Sequence, residues 1–278
     1  MKVTLWGTRG SLAAPGPETV RYGGNTACVE VRGGDDSLLI LDAGTGIRRL
    51  GGTLEGGFRR IDVLLTHLHM DHIQGLGFFT PLDQPGRDVH IWAPPSATLD
   101  LRTRLSRYLS PPLFPVRIRD LPCRLTLHDA PLERFRIGRF EIEASLVCHP
   151  GSTVGYRIGE DGTTLTYLPD HELALGAASF PAEPDWTSGF ELASGADLLI
   201  HDAQYTEVEY RQRVGWGHST IDQALHFAAA AGVKRLVTFH HDPGHSDALL
   251  DRLTEEASRA GGLPFELIPG TEGLGFEL

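Results

Sequence analysis

The stretch His67-Leu68-His69-Met70-Asp71-His72 places three imidazoles and a carboxylate within six residues. It directly follows the run Ile61 to Thr66, which is short, apolar and rich in leucine and β-branched residues, and is predicted to be a buried strand. In α/β proteins, reactive groups and ligands collect where such strands end. Imidazole and carboxylate are ligands that divalent metals prefer. The stretch therefore predicts a metal site, and a chance cluster of surface histidines is the less favoured interpretation.

The composition is typical of a soluble enzyme. The 278 residues, 41% of them hydrophobic, suffice for a sizeable core. The formal net charge of −11 disfavours broad binding to nucleic-acid backbones, which depends on Lys and Arg. Cys28, Cys123 and Cys148 lie far apart without CxxC spacing, as is typical of reduced thiols. With no signal-peptide pattern and no apolar stretch of membrane-spanning length, we expect a cytoplasmic protein that does not span a membrane.

Strand and helix signals alternate along the chain. Strands are predicted at Val3 to Trp6, Ala27 to Val31, Leu38 to Leu41, Ile61 to Thr66, Val89 to Trp92, Arg134 to Ile137, Phe140 to Val147, Val154 to Ile158, Thr163 to Leu168, Asp197 to Ile200 and Arg235 to Phe239. Helices are predicted at Ile73 to Phe79, Ala97 to Leu109, Ile221 to Ala231 and Ser246 to Ala260. With no repeat or linker, residues 1–278 are expected to form one α/β domain, in which the Pro-rich stretch Ser110 to Asp120 is a candidate flap or surface insertion.

Further candidate ligands stand where other predicted strands end. His149 follows one strand, Asp170 follows the next, and His240 follows the last. Taken singly, each is better explained as a capping or surface residue. Their recurrence alongside the first motif favours metal ligands instead. Their neighbours His171 and His241 are expected to be exposed, because adjacent strand residues point to opposite faces.

Together these motifs resemble those of the metallo-β-lactamase-fold superfamily of hydrolases, whose hallmark is H-x-H-x-D-H followed by a distant His, an Asp and a final His. The resemblance covers nearly the whole chain and implies a four-layered αβ/βα sandwich. It also implies that two divalent metal ions are bound. The implied ligands are His67, His69 and His149 for the first ion, Asp71, His72 and His240 for the second, and Asp170 as a bridge between them.

Within that superfamily, the chain is similar to the ribonuclease Z-like phosphodiesterases, a branch that includes a small bacterial cyclic-phosphate phosphodiesterase. The similarity lies in the turn Gly7-Thr8-Arg9-Gly10, the strand end Leu41 to Gly46, Asp202-Ala203-Gln204, and His218-Ser219-Thr220 before an Ala-rich helix. It implies that Asp202 and His218 cooperate in proton transfer. Asp71 is expected to serve the reaction as well as the metal.

Three departures from the pattern bear on the substrate. Pro169-Asp170-His171 replaces Gly-Asp-Thr around the bridging Asp, and Asp202 replaces a Glu. The long basic arm with which ribonuclease Z grips transfer RNA has no counterpart, since the span Glu172 to Ser194 is short and acidic. Together with the net charge, this span disfavours transfer RNA and favours a small substrate.

The expected activity is hydrolysis of a small phosphodiester, such as a cyclic phosphate or a nucleotide. Two divalent ions, zinc or alternatively manganese, would lower the pKa of a bridging water, and the resulting hydroxide would attack phosphorus. His218, held by Asp202, would give the leaving oxygen its proton. Two alternatives stay open: hydrolysis of a carboxylic ester, thioester or lactone at the same metals, and a ligand-binding regulator without hydrolysis. Because related enzymes are commonly dimers, a homodimer is expected.

Two further polar residues allow competing interpretations. Asp42, on a Gly-rich turn, either orients a ligand histidine through the second ring nitrogen or is a plain turn residue. Arg9, on an N-terminal loop, is expected to be a surface residue rather than a phosphate contact.

Overall fold

The computed structural model describes residues 1–54, 58, 60–173, 186–259 and 262–278. About half of the span 172–194, whose acidic sequence disfavours transfer RNA as the substrate, lies outside these residues. The strands are β1 Lys2–Gly7, β2 Cys28–Arg32, β3 Leu38–Leu41, β4 Arg60–Leu64, β5 Asp88–Ala93, β6 Arg124–Asp129, β7 Arg134–Ile137, β8 Phe140–Leu146, β9 Val154–Glu160, β10 Thr163–Leu168, β11 Leu198–Asp202, β12 Arg235–Phe239, β13 Glu266–Pro269 and β14 Gly275–Glu277.

The strands form two seven-stranded mixed sheets. The first has the order β14-β1-β2-β3-β4-β5-β6 and the second the order β13-β12-β11-β10-β9-β8-β7. In the first sheet β3, β4, β5 and β6 are parallel, and in the second β10, β11, β12 and β13 are parallel. Because parallel strands end at the same edge of a sheet, each sheet presents several strand ends together.

The helices are α1 Ile47–Gly51, α2 Met70–Ile73, α3 Leu101–Ser106, α4 Phe190–Ala193, α5 Glu207–Tyr210, α6 Ile221–Ala231 and α7 Asp247–Arg259, and short 3₁₀ turns lie at Leu76–Phe78, Thr80–Asp83 and Ile118–Asp120. The predicted helix from Ile73 to Phe79 is wrong, since α2 ends at Ile73. The reason is the glycine content of this segment: a Cβ at Gly75 would lie 2.1 Å from the carbonyl oxygen of Gly44. Because the backbone at Gly75 packs this closely against the backbone at Gly44, the segment does not continue as a regular helix.

Three apolar clusters separate four layers. The central cluster joins the facing surfaces of both sheets and includes Leu39 of the first and Leu165 of the second. A second cluster lies between the first sheet and its helices, and a third, which includes Phe227 of α6, lies between the second sheet and its helices. The predicted four-layered αβ/βα sandwich is confirmed.

The candidate site residues lie beyond strand ends from both sheets. Strand β4 leads to His67, β10 to Asp170 and β12 to His240, and β11 ends at Asp202 itself. The two sheets therefore meet at an edge where each supplies polar side chains. Among the described residues, no helix has both the length and the apolar character needed to cross a membrane.

Replacing Leu39 by Ala should destabilise the protein strongly. Leu39 is fully buried between the two sheets, so the free energy of unfolding should fall by about 2–5 kcal/mol, through lost apolar burial and a residual cavity. The matched control is Leu132→Ala, because Leu132 is 46% exposed, and it should cost less than about 1 kcal/mol. Urea unfolding followed by circular dichroism measures both, and equal losses would contradict the assignment of the central core.

Candidate metal centre

His67, His69 and His149 form the first of two sets of converging ligand atoms. His67 and His69 follow β4 of the first sheet, whereas His149 follows β8 of the second. Nδ1 of His69 lies 3.2 Å from Nε2 of His149, and one ligand atom from each of the three residues lies within 4.8 Å of the others. Three imidazoles from two sheets thus converge in a way that suits one metal ion.

The second set consists of Asp71, His72, Asp170 and His240, and all four are buried. Nε2 of His72 lies 2.9 Å from Oδ1 of Asp170 and 3.3 Å from Oδ2 of Asp71. Nε2 of His240 lies 3.2 Å from each of the same two oxygens. Two imidazoles and two carboxylates therefore face one another across a space suited to a second ion.

The carboxylate of Asp170 lies between the two sets. Its Oδ1 faces His72 and His240, while its Oδ2 lies 3.8 Å from Nε2 of His67 and 3.7 Å from Nε2 of His149. One oxygen is thus directed to each set, which is the arrangement a bridging ligand requires.

Two buried atoms in these sets lack a hydrogen-bond partner within the described part of the chain, Nε2 of His67 and Oδ1 of Asp170. The oxygen approaches His72 closely, but without the geometry of a hydrogen bond. Burying polar atoms without partners is costly, and coordination of a cation would satisfy both. The donor set of imidazole nitrogen and carboxylate oxygen suits zinc and manganese. The residues present therefore fit two divalent metal ions.

The protonation of the first set favours metal binding. Burial, and then the neighbouring His72, lower the pKa of His67 well below its ordinary value. Burial also lowers the pKa of His69 and of His149. These imidazoles are therefore neutral near neutral pH, and the neutral imidazole is the form that binds a metal.

The second set is rich in negative charge. Burial disfavours the charged form of Asp170, but the imidazoles of His240 and His72 outweigh it and hold the pKa of Asp170 well below its ordinary value. Burial likewise opposes protonation of His72, yet the carboxylates of Asp170, Asp71 and Asp42 raise its pKa. The same carboxylates that attract a proton to His72 would attract a metal cation to this position.

Asp42 orients the candidate ligand His72, so it is more than a plain turn residue. Its Oδ2 accepts a hydrogen bond of 2.8 Å from Nδ1 of His72 and another from the hydroxyl of Tyr167, and its Oδ1 accepts from the amide of Thr66. Asp42 has a φ of 58°, a left-handed conformation that is uncommon for a residue other than glycine. A carboxylate behind a ligand histidine fixes the ring and its tautomer.

His240 is oriented by Gln204, a residue to which sequence reasoning gave no role. Oε1 of Gln204 lies 2.9 Å from Nδ1 of His240, and Nε2 of Gln204 donates to the hydroxyl of Ser11. The backbone amide of Ser11 in turn donates to Oδ2 of Asp71. The sequence signal for this role is the position of Gln204, two residues after Asp202 and just beyond the end of β11.

Two glycines allow the backbone to pass close to ligand rings. A Cβ at Gly10 would lie 2.2 Å from Nδ1 of His240, and a Cβ at Gly217 would lie 2.3 Å from Nδ1 of His149. Gly217 has a φ of 91°, and its carbonyl accepts the 2.8 Å hydrogen bond from Nδ1 of His149. Both glycines therefore help to define where ligand nitrogens point.

Asp202 and His218 form a buried pair beside the two ligand sets. Nδ1 of His218 lies 2.7 Å from Oδ2 of Asp202, whose oxygens also accept hydrogen bonds from the amides of His171 and Gln204. Burial opposes protonation, but the carboxylate of Asp202 outweighs it and raises the pKa of His218 to about 8. Because Nδ1 is engaged by Asp202, Nε2 is the ring nitrogen left for a substrate. The ring stacks on His240 at 4.9 Å between centroids.

The expected exposure of His171 and His241 is wrong, because both are buried. The alternation of a strand does not continue past its end: Pro169 follows β10, and His240 has a left-handed φ of 60° just after β12. His241 donates to the carbonyl of Gly270, and burial lowers its pKa to about 3.

His171 belongs to a buried series of hydrogen bonds that reaches the backbone next to His149. Its Nδ1 lies 2.9 Å from Nε2 of His201 and its Nε2 lies 3.0 Å from Oγ of Ser188, which accepts a hydrogen bond from the amide of Cys148. Burial lowers the pKa of both histidines, so the pair is neutral. These hydrogen bonds connect the backbone before His149 to the segment that carries Asp170.

The expected surface position of Arg9 is also wrong, since its side chain is fully buried. The guanidinium donates hydrogen bonds to the carbonyls of Gly23, Asp242 and His245. It therefore links the N-terminal segment that contains Arg9 and Gly23 to the loop after His240.

Comparison with known proteins agrees with this geometry. The family model described as beta-lactamase superfamily domain matches residues 38–241. Ribonuclease Z of Haloarcula marismortui is 27% identical over 94% of this chain and 92% of that protein. The metallo-beta-lactamase fold protein YhfI from Bacillus subtilis superposes with a TM-score of 0.72 at 21% identity, over 100% of this chain and 99% of that one. A diphosphatase from the PhnP family gives a TM-score of 0.67 at 20% identity, over 100% and 97%. The resemblance predicted from the motifs is confirmed.

Replacing Gly10 by Ala should weaken metal binding in the second set. The added methyl group would collide with His240, so we expect the variant to lose one bound ion while the first set keeps its own. Gly16→Ala is the matched control, because a Cβ at Gly16 would have no atom of the described residues within 4 Å. The zinc content per chain, measured by inductively coupled plasma mass spectrometry after dialysis, tests this prediction. Unchanged zinc in Gly10→Ala would contradict the role given to His240.

Proposed function

This chain belongs to the beta-lactamase superfamily, and on that premise we propose that it hydrolyses a small phosphodiester with two divalent metal ions. The ions would be zinc or manganese, held by the two ligand sets with Asp170 as their bridge. The observation that carries the choice of phosphodiester is the pair of Asp202 and His218 beside Asp170. The ribonuclease Z relatives support the same class of bond.

Each charged group has a place in this reaction. When bound, the cations supply neutralisation of phosphate charge and a more acidic water. Asp71 and Asp170 would be ligands of the cations and would offset part of their charge. Asp202 holds His218 so that its Nε2 can deliver a proton to the departing alkoxide oxygen, which is otherwise a poor leaving group.

A small substrate is favoured over transfer RNA by charge. The formal net charge of −11 works against binding a long phosphate backbone, which gains its affinity from Lys and Arg contacts. The sequence from Glu172 to Ser194 is short and acidic rather than long and basic. These features support a substrate whose recognition depends on the centre and its immediate walls.

Hydrolysis of a carboxylic ester or thioester is the second candidate. It is favoured by the apolar side chains of Leu68, Met70 and Leu113, which line a cavity at the first ligand set. An ester whose leaving group departs readily would have little use for the proton of His218. The two functions thus differ in their dependence on that residue.

Steady-state hydrolysis separates the two candidates. Zinc- and manganese-loaded protein should hydrolyse bis(p-nitrophenyl) phosphate, lose that activity on treatment with a chelator, and leave an acyl thioester intact. Turnover of the thioester without turnover of the phosphodiester, in protein shown to contain two metal ions, would overturn the proposed function.

Replacing His218 by Ala should reduce turnover of phosphodiesters that have poor leaving groups by roughly 10²–10⁴-fold, because the leaving oxygen loses its proton donor. The effect on bis(p-nitrophenyl) phosphate should be much smaller, since p-nitrophenolate departs without a proton. Bound metal should remain that of the unmodified protein. His226→Ala, at an exposed position on α6, is the control. Equal rate losses on both kinds of substrate would contradict a role in proton transfer.

A further inference from the structure

A cavity of about 470 Å³ opens directly beside the first ligand set. His67 and His69 form part of its lining, and His69 is the exposed member of its set. The opposite wall comes from helix α3 and the residues after it, including Arg104, Arg107 and Tyr108. The volume lies within the ordinary range for small-molecule sites, so the cavity can hold an organic group attached to a phosphate at the metal centre.

The lining of this cavity has the opposite charge to the chain as a whole. The chain contains 36 Asp and Glu residues against 25 Lys and Arg, yet among the described residues two arginines and no carboxylate line the cavity. Electrostatics therefore favour an anion here beyond the one that the metal ions themselves would attract.

The two arginines differ in how they are held. The guanidinium of Arg104 donates to the carbonyl of Pro94 and lies 3.3 Å from Asp129, while its Nε is buried and no described residue accepts a hydrogen bond from it. The side chain of Arg107 forms neither a hydrogen bond nor an ion pair with any described residue, and it is exposed. One guanidinium is thus fixed in the wall, and the other is available to pair with an incoming group.

The remaining wall is apolar and partly open to water. Met70 is 49% exposed and Leu113 is 71% exposed. Tyr108 is held in place because its hydroxyl donates a 2.6 Å hydrogen bond to the carbonyl of Gln74. An organic group seated between these side chains would remove their apolar surface from water. The Pro-rich stretch 110–120, a predicted flap or surface insertion, contributes Leu113 to this wall.

We propose that this cavity binds the organic half of the substrate, and that this half carries a second anionic group that pairs with Arg107 beside Arg104. The inference rests on the proposed function and narrows its substrate to phosphodiesters with a further carboxylate or phosphate. The scissile phosphate lies at the metal centre, the carbon skeleton lies against Met70, Tyr108 and Leu113, and the second anion lies at the arginines.

Binding of aryl phosphates to the zinc-loaded protein tests this without relying on turnover. The three probes are 4-methylphenyl phosphate, 4-carboxyphenyl phosphate and 1,4-phenylene bisphosphate, measured by isothermal titration calorimetry. At least one of the two anionic probes should bind roughly tenfold more tightly than the methyl probe, as a charge-assisted hydrogen bond predicts. The tighter of the two identifies the second anion as carboxylate or phosphate.

Three variants test whether Arg107 is responsible for the tighter binding of the anionic probes. Arg107→Gln should reduce it to nearly none, and Arg107→Lys should retain part of it because the charge remains. Arg102→Gln is the matched control, since Arg102 lies on the same helix but lines a different cavity, with Asp100 and His128. Equal affinity for all three probes, failure of all three to bind, or a preference that survives Arg107→Gln would overturn the inference.

The result also separates this inference from the proposed function. Hydrolysis of the phosphodiester that joins 4-nitrophenol and 4-carboxyphenol is measured on the same zinc-loaded protein and variants. Arg107-dependent binding without hydrolysis would support the anion site and contradict phosphodiester hydrolysis. Hydrolysis without any preference for the anionic probes would support phosphodiester hydrolysis and contradict the anion site.

Discussion

The carboxylate of Asp170 is the constraint on which the rest of the centre depends. One oxygen faces His72 and His240, and the other faces His67 and His149. These groups come from both sheets, so the packing of the central core between the sheets determines whether the two sets can share one carboxylate. Burying His67 Nε2 and Asp170 Oδ1 without a hydrogen-bond partner among the described residues costs free energy, and a bound cation would offset that cost.

A second layer of buried groups holds the ligands in place. Asp42 fixes His72, the carbonyl of Gly217 fixes His149, and Gln204 fixes His240, each through the ring nitrogen that faces away from the centre. The backbone accepts unusual conformations to allow this, with positive φ at Asp42, Gly217 and His240. Local strain at a functional site is tolerated when the surrounding structure determines the geometry.

Much of this could be predicted because strand ends are visible in sequence. The motif at 67–72 and the single polar residues at 149, 170 and 240 each follow an apolar run, and the structure brings all of them together. Burial just beyond a strand could not be predicted in the same way. The two-residue alternation fails once the backbone turns, as it does at Pro169 and at His240, and for this reason the predicted exposure of His171 and His241 is wrong. Gln204 was missed because its partner, His240, is distant in sequence.

The most direct test of the account is anomalous diffraction at the zinc absorption edge from crystals of the zinc-loaded protein. The account predicts two anomalous peaks, one beside each oxygen of Asp170, with the imidazoles of His67, His69 and His149 around the first and those of His72 and His240 around the second. A single peak, or two peaks that do not share Asp170, would contradict it.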